Sequence, residues 1–326
     1  MTNPIYAIAF TAREQAELLP LADETRTPGP TEIAGRTLVT LASPGTELNG
    51  GYLAEQFPRY PGYAAIFEVE EIGAEVKGVE IGELRYCMGR HRSYQRFPVS
   101  ETVAVPAGLA PEAAVFTRLM GVPMATLATT AVRPPALVLV TGLGPVGNLG
   151  AQIFQSCGYE VITVDPDPTR QELANHVGLN RVYATVPKED PAIAKQVALQ
   201  LECSGHEQAA VDGCHVLRQY GELSQIGAPW TQRNNATAHE LLRLIFFNYL
   251  TVRSGWEWQL PNHPTPFRGG SIFANFAAGL QWLHEGRVKV DGLYELIDPR
   301  QAQAAYQDIL HRRLTYLAPM FDWRAL

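Results

Sequence analysis

The residues best arranged for chemistry lie between Ala136 and Arg170, in the stretch ALVLVTGLGPVGNLGAQIFQSCGYEVITVDPDPTR. Gly142, Gly144 and Gly147 form a G-x-G-x-x-G loop that follows a β-rich run and opens an amphipathic segment. In that setting the first glycine permits a tight turn and the second lets the backbone approach a pyrophosphate. The third lets the helix pack close to the strand. A helix starting at Pro145 and Val146 would present free N–H groups and its positive dipole end to the phosphates. Asp165 stands 18 residues after Gly147, at the end of a second β-rich run, where a carboxylate binds a ribose 2′-hydroxyl. That carboxylate would repel a 2′-phosphate, so NAD is the expected cofactor. Arg170 could accommodate such a phosphate and keeps NADP open.

Such a site needs a parallel sheet with helices on both faces, and the surrounding pattern predicts one. A helix over Val146–Cys157 stops at Gly158, and a strand over Glu160–Asp165 follows. The next helix has Pro168 in its first turn and Gly178 as its stop. A strand over Val197–Cys203 leads to a helix in SGHEQAAVDGCHVL, and Glu222–Ile226 and Thr251–Ser254 are further strand candidates. This alternation predicts an α/β, doubly wound Rossmann sheet. Before it the chain is rich in strands and turns: Arg36–Ala42, Ala64–Ile72 and Glu101–Val105, broken by Pro-Gly pairs. After it come three prolines, a helix over Ile272–Glu285, a strand over Tyr294–Ile297 and a helix from Pro299. The expected domains are 1–120 (β-rich), 121–256 (dinucleotide-binding) and 257–326, a segment returning to the first.

Composition narrows the function classes. The 326 residues carry 26 basic and 33 acidic side chains, a net charge of -7, which argues against a nucleic-acid partner. No apolar run reaches the roughly 20 residues of a membrane span, and the N-terminus lacks signal-peptide character, so a cytoplasmic protein is expected. Cys87, Cys157, Cys203 and Cys214 have no metal-type spacing, and Cys157 and Cys203 fit as small core residues.

The layout resembles the medium-chain dehydrogenase/reductase family. PGTEL (44–48) is similar to its C-G-T-D segment, PGYAAIFEVEEIGAEV (61–76) to its G-H-E segment, and GRHRSY (89–94) to its G-x-H-A-x-Y segment. LAPEAAVF (109–116), LECSG (201–205) and PRQAQAAYQDIL also fit, and the S-P-G-T-E signature is closest to bacteriochlorophyllide-type and other zinc-free members. The resemblance implies a GroES-like β-rich domain completed by the C-terminal segment, and an active site in the cleft beside the Rossmann domain. It also implies a homodimer through the edge near Thr251–Gly255, with Trp256 and Trp258 close by. With the rule that ligands bind at the carboxyl ends of parallel strands, it places Ser204, Gly227, Ser254 and Gly255 beside the nicotinamide.

The departures bear on mechanism. Pro44, Tyr63 with Ala64, and the neighbourhood of Thr117–Met120 stand where zinc-dependent members place ligands, and none supplies a thiolate or imidazole. No zinc is therefore expected. Hydroxyls and imidazoles would then polarise the substrate carbonyl. By resemblance Thr46 is a proton-relaying hydroxyl, Tyr63 a donor in a former ligand position, and His91 a further catalytic candidate. Glu47, Tyr94 and Arg118 are weaker substrate contacts, Arg118 for an anionic group. Each has a structural alternative: Thr46 as a turn cap, Glu47 as an ion-pair partner, Tyr63 as a packed aromatic, His91 as a satisfied buried histidine. Arg85, Arg90, Arg92 and Arg96 could bind an anion or pair with local acids. The leading expectation is hydride transfer between NAD(H) and an alcohol or carbonyl metabolite. An NADPH-dependent quinone or enone reductase, and a non-catalytic dinucleotide sensor, are the alternatives.

Overall fold

The computed structural model describes residues 4–21 and 27–326, and the chain divides into two compact units. The first comprises Met1–Arg118, Phe276–His284 and Val290–Leu326. It opens with an antiparallel hairpin, β1 (Ile5–Ala12) and β2 (Gln15–Leu21), which the sequence reading leaves unassigned. β3 (Glu32–Leu41) is the hub of the unit's sheet and is buried along nearly its whole length. The short helix α1 (Pro44–Glu47) follows, with Pro44 in its first turn, where the missing N–H costs nothing. Then come β4 (Ala65–Ile72), β5 (Leu84–Cys87), β6 (Tyr94–Pro98), β7 (Thr102–Ala104) and the single turn α2 (Pro111–Ala114). Helix α3 (Thr117–Thr129) leaves this unit and enters the second.

The second unit comprises Leu119–Asn275 and Glu285–Lys289. Its elements run β8 (Leu137–Thr141), α4 (Pro145–Ser156), β9 (Glu160–Val164), α5 (Pro168–His176), β10 (Val182–Tyr183) and β11 (Val197–Glu202). They continue with α6 (Glu207–Val216), β12 (Leu217–Gln225), α7 (Ala238–Asn248) and β13 (Thr251–Ser254). The strands form one parallel sheet in the order β10-β9-β8-β11-β12-β13, the doubly wound arrangement in which order reverses between β8 and β11. Every residue of β11 is buried, as a central strand covered on both faces requires. Leu139, Ile162, Val197, Val216, Leu217 and Leu223 form the core under its helices.

Helix α8 (Ile272–His284) carries the chain back to the first unit, where β14 (Tyr294–Ile297), α9 (Ala302–Leu310) and β15 (Ala318–Asp322) complete it. β15 pairs antiparallel with β3, extending the sheet to the order β14-β15-β3-β4-β5-β7, with β6 also on β3. Tyr306 of α9 packs against Phe10, Tyr52 and Phe321, so the C-terminal segment supplies part of this unit's core. The chain thus holds a GroES-like domain closed by the C-terminal segment, and a Rossmann domain.

Candidate active site

The dinucleotide-type site is built almost wholly from backbone. Gly142 has φ +87, a left-handed value that favours glycine, and the helix behind it starts at Gly144 with no side chain capping it. A Cβ on Gly147 would lie 1.8 Å from the Gly142 carbonyl oxygen, so only glycine lets α4 come this close to β8. Around Gly144 the same test meets nothing within 4 Å, which leaves room for a ligand beside the first helical turn of Pro145 and Val146. Asp165 is 3 % exposed and does more than the sequence suggests. Its Oδ2 accepts the amide of Leu143 at 2.7 Å, inside the glycine loop, with Arg170 Nη1 at 3.3 Å. Its Oδ1 accepts the amide of Asp167 at 2.9 Å. The carboxylate thus fixes the loop as well as standing at the ribose position.

Ser204, Gly227, Ser254 and Gly255 occupy the carboxyl ends of β11, β12 and β13. Gly227 N donates to Glu202 O and Gly255 N to Gln225 O, which ties adjacent turns together. The exposed Ser254 hydroxyl accepts the amide of Trp256 at 3.1 Å, and both Trp256 and Trp258 are exposed. Glu202, within the LECSG motif but not singled out as a site residue, sits beneath these turns, completely buried.

In the first unit the structure gathers Thr46, Glu47, Tyr63, His91 and Arg118. Thr46 is exposed at α1 and Tyr63 is half-buried in the loop before β4. The Tyr63 hydroxyl hydrogen bonds with Ser43 and Thr46, and the Arg118 guanidinium lies 4.5 Å over its ring. Burial pushes the Tyr63 phenol above its usual value of 10.0, with Arg118 pulling the other way and Glu47 reinforcing the rise. The phenol therefore keeps its proton through the neutral range.

His91 and Glu47 are closed off beneath this pair. His91 is 0 % exposed, with Nε2 3.0 Å from Glu47 Oε2 and Nδ1 2.7 Å from Thr40 Oγ1. Trp323 Nε1, which can only donate, reaches the same Thr40 oxygen at 2.9 Å. Thr40 and Glu47 thus engage the two ring nitrogens from opposite sides. Glu47 also accepts Tyr306 Oη at 2.5 Å and the Ser43 amide at 2.9 Å. Both nitrogens of His91 are engaged with Thr40 and Glu47 rather than with the Tyr63 and Thr46 hydroxyls. Tyr94 stands apart on β6, packed with Ile5 and Ala34, its hydroxyl 3.3 Å from Glu71. The arginine-rich segment has local partners: Arg85 with Glu83, Arg96 with Glu32, Arg92 with Gln95, and Arg90 near the Tyr60 ring.

The residues at the family's zinc-ligand positions do not suit the metal. Pro44, Tyr63, Ala64 and Thr117 offer neither thiolate nor free imidazole, and the imidazole of this unit's pocket, His91, has both nitrogens spent. Among the described residues no three His, Cys, Asp or Glu side chains converge.

Comparison with known proteins agrees with this architecture. Residues 145–260 match the family described as "Zinc-binding dehydrogenase". The chain is 26% identical over 305 residues to L-threonine 3-dehydrogenase of Pyrococcus furiosus, covering 79% of this chain and 86% of that one. These likenesses support the resemblance to the medium-chain dehydrogenase/reductase family. A sorbitol dehydrogenase of Halalkalibacterium halodurans is 31% identical over 131 residues, covering only 38% of either chain. In fold, the acetophenone reductase of Geotrichum candidum, solved in complex with NAD, superposes with a TM-score of 0.80 at 13% identity, over all of this chain and 99% of its own. The protein is an NAD(P)-dependent oxidoreductase of the alcohol-dehydrogenase type.

Proposed function

We propose that this medium-chain dehydrogenase/reductase interconverts an alcohol and a carbonyl on a small cytoplasmic metabolite, with NAD(H) and without zinc. The observation that carries the reading is the donor set: by resemblance a protonated phenol, Tyr63, stands where zinc-dependent members keep a metal ligand, and its hydroxyl hydrogen bonds with Thr46. When bound, the nicotinamide cofactor supplies or accepts the hydride. Gly142, Gly144, Pro145, Val146 and Gly147 hold its pyrophosphate, and Asp165 its adenosine ribose. The Asp165 carboxylate favours NAD over NADP, while Arg170, 3.3 Å from it, partly balances that charge and keeps NADP open. Ser204, Gly227, Ser254 and Gly255 line the second half.

In the other unit Tyr63 donates a hydrogen bond to the carbonyl oxygen and then the proton itself, and Thr46 relays its replacement from solvent. Glu47 and His91 act behind them as positioning residues, because their polar atoms are committed to each other and to Thr40, Ser43 and Tyr306. An anionic group on the substrate would meet the positive charge of Arg118 over Tyr63. The buried carboxylate Asp165 at the ribose position weighs against an NADPH-dependent enone reductase. The test is a panel of polyols, secondary alcohols and their ketones with NAD(H), run on chelator-treated protein. Turnover that survives chelation and collapses in Tyr63→Phe supports the reading; turnover that needs added zinc removes it.

A homodimer is also proposed. Among the described residues β13 pairs only with β12, leaving its outer edge open, and beside it Tyr220, Leu242, Phe246, Phe247 and Tyr249 are exposed. An open parallel-sheet edge flanked by an apolar helix face suits a second copy of the same edge. Native protein should elute at twice the chain mass in light scattering, and Phe246→Glu should halve it.

A further inference from the structure

The carboxyl ends of β8, β11, β12 and β13 carry four turns that nearly touch. A Cβ on Gly142 would stand 2.7 Å from Ser204 N, one on Gly227 2.2 Å from Gly205 N, and one on Gly255 2.4 Å from Ile226 Cγ1. Glu202, the last residue of β11, lies at their centre. Its Oε1 accepts the Ser204 amide at 2.8 Å and the Ser204 hydroxyl, with Thr141 Oγ1 at 3.5 Å. Its Oε2 accepts the Gly205 amide at 3.0 Å and Gln225 Nε2 at 2.6 Å. Gln225 Nε2 also reaches the Gly227 carbonyl at 2.8 Å. A buried carboxyl is tolerated only when its oxygens are satisfied, and here the donors come from the loops after two neighbouring strands.

The doubly wound sheet consists of two mononucleotide-binding halves. In this chain β8, β9 and β10 form the first, with its own buried carboxylate, Asp165, tied to Leu143 and Asp167. β11, β12 and β13 form the second. We propose that Glu202 is the positioning residue of the second half, fixing the Ser204–Gly205 and Gln225–Gly227 turns so that they receive the nicotinamide riboside. This deepens the dinucleotide reading above and rests on it. Each half of the cofactor is then served by a separate buried carboxylate, and the two can be disabled separately.

The experiment titrates NADH and ADP-ribose, which lacks the nicotinamide, into native protein, Glu202→Gln and Gln225→Leu. Glutamine keeps the size of the side chain but turns one acceptor oxygen into a donor facing other donors. Glu202→Gln should weaken NADH about tenfold or more while ADP-ribose stays within about twofold. Gln225→Leu, which leaves the carboxyl in place and removes one donor, should shift NADH in the same direction by less. Should Glu202→Gln fail to fold, Gln225→Leu alone decides. Equal weakening of both ligands would show a general structural role and overturn the proposal, as would no change in either. Native protein that binds neither ligand would overturn the dinucleotide reading itself, and the proposal with it.

Discussion

The rim of the Rossmann sheet and the Thr46–Tyr63 pocket hold polar groups in opposite ways. At the rim glycines without a Cβ let backbone approach backbone, and two buried carboxylates, Asp165 and Glu202, hold the turns through their amides. In the pocket the Thr46 and Tyr63 hydroxyls adjoin a closed set of side chains, Glu47, His91, Thr40, Tyr306 and Trp323. The rim is rigid because nothing larger fits; the pocket is rigid because every buried polar atom of that set is spoken for. A backbone-built site tolerates little substitution and binds a common ligand. A site built from side chains can change its chemistry while the fold stays as it is, and on the proposed reading a phenol stands where relatives place a metal ligand.

The sharpest way to break this contrast is at the rim. Gly147→Ala places a methyl 1.8 Å from the Gly142 oxygen, so the glycine loop cannot keep its shape. NADH affinity should fall by about a hundredfold or more, read by fluorescence titration, since that loop and helix terminus are the anion site itself. Affinity retained within a few-fold would mean that binding does not use the loop.

Next in size is Glu47→Ala, which deprives His91, Tyr306 and the Ser43 amide of one shared acceptor. Removing one partner from a buried polar network costs about 3 kcal/mol or more. Urea unfolding should register that loss while ADP-ribose binding to the remaining folded protein stays intact. A loss below about 1 kcal/mol would mean that the set does not stiffen the pocket.

Tyr63→Phe separates chemistry from stability. It keeps the ring under Arg118 and removes the donor, so kcat of carbonyl reduction should drop about a hundredfold with KM little changed. The pH profile sharpens the point. The phenol is raised above 10.0 and its protonated form is the active one in reduction. Reduction should therefore hold through neutral pH and fall only as pH rises past that value. A fall centred near pH 7 would assign the proton to another group.

The smallest effect belongs to the surface. Arg36→Ala removes a 2.8 Å ion pair with Glu68, but Arg36 is 59% exposed. It should change stability by about 0.5 kcal/mol or less and leave turnover alone.

The rim was readable in the sequence because its parts are local. The three glycines, the helix and Asp165 lie within 24 residues, and each has one reason to be where it is. The second role of Asp165, as acceptor for Leu143, was not readable, since spacing does not show which way a carboxylate turns. The pocket network was hidden for a different reason. Glu47 meets Tyr306 across 259 positions and Thr40 meets Trp323 across 283, so the C-terminal segment had to be folded back before His91 could be seen to be closed off. Helix α7 did leave a signal: Thr237 caps it and Glu240 stands three residues on, the capping-box spacing. Its outward apolar face blurred the usual periodicity. β12 begins five residues earlier than expected because Leu217 already pairs with Val197.

The account turns on a nicotinamide site that works without metal. Its most direct test is titration of NADH and NADPH into chelator-treated native protein, followed by nicotinamide fluorescence. The prediction is saturable NADH binding, with NADPH markedly weaker because the buried Asp165 meets its 2′-phosphate. Binding of neither nucleotide, or binding that returns only when zinc is added back, would contradict it.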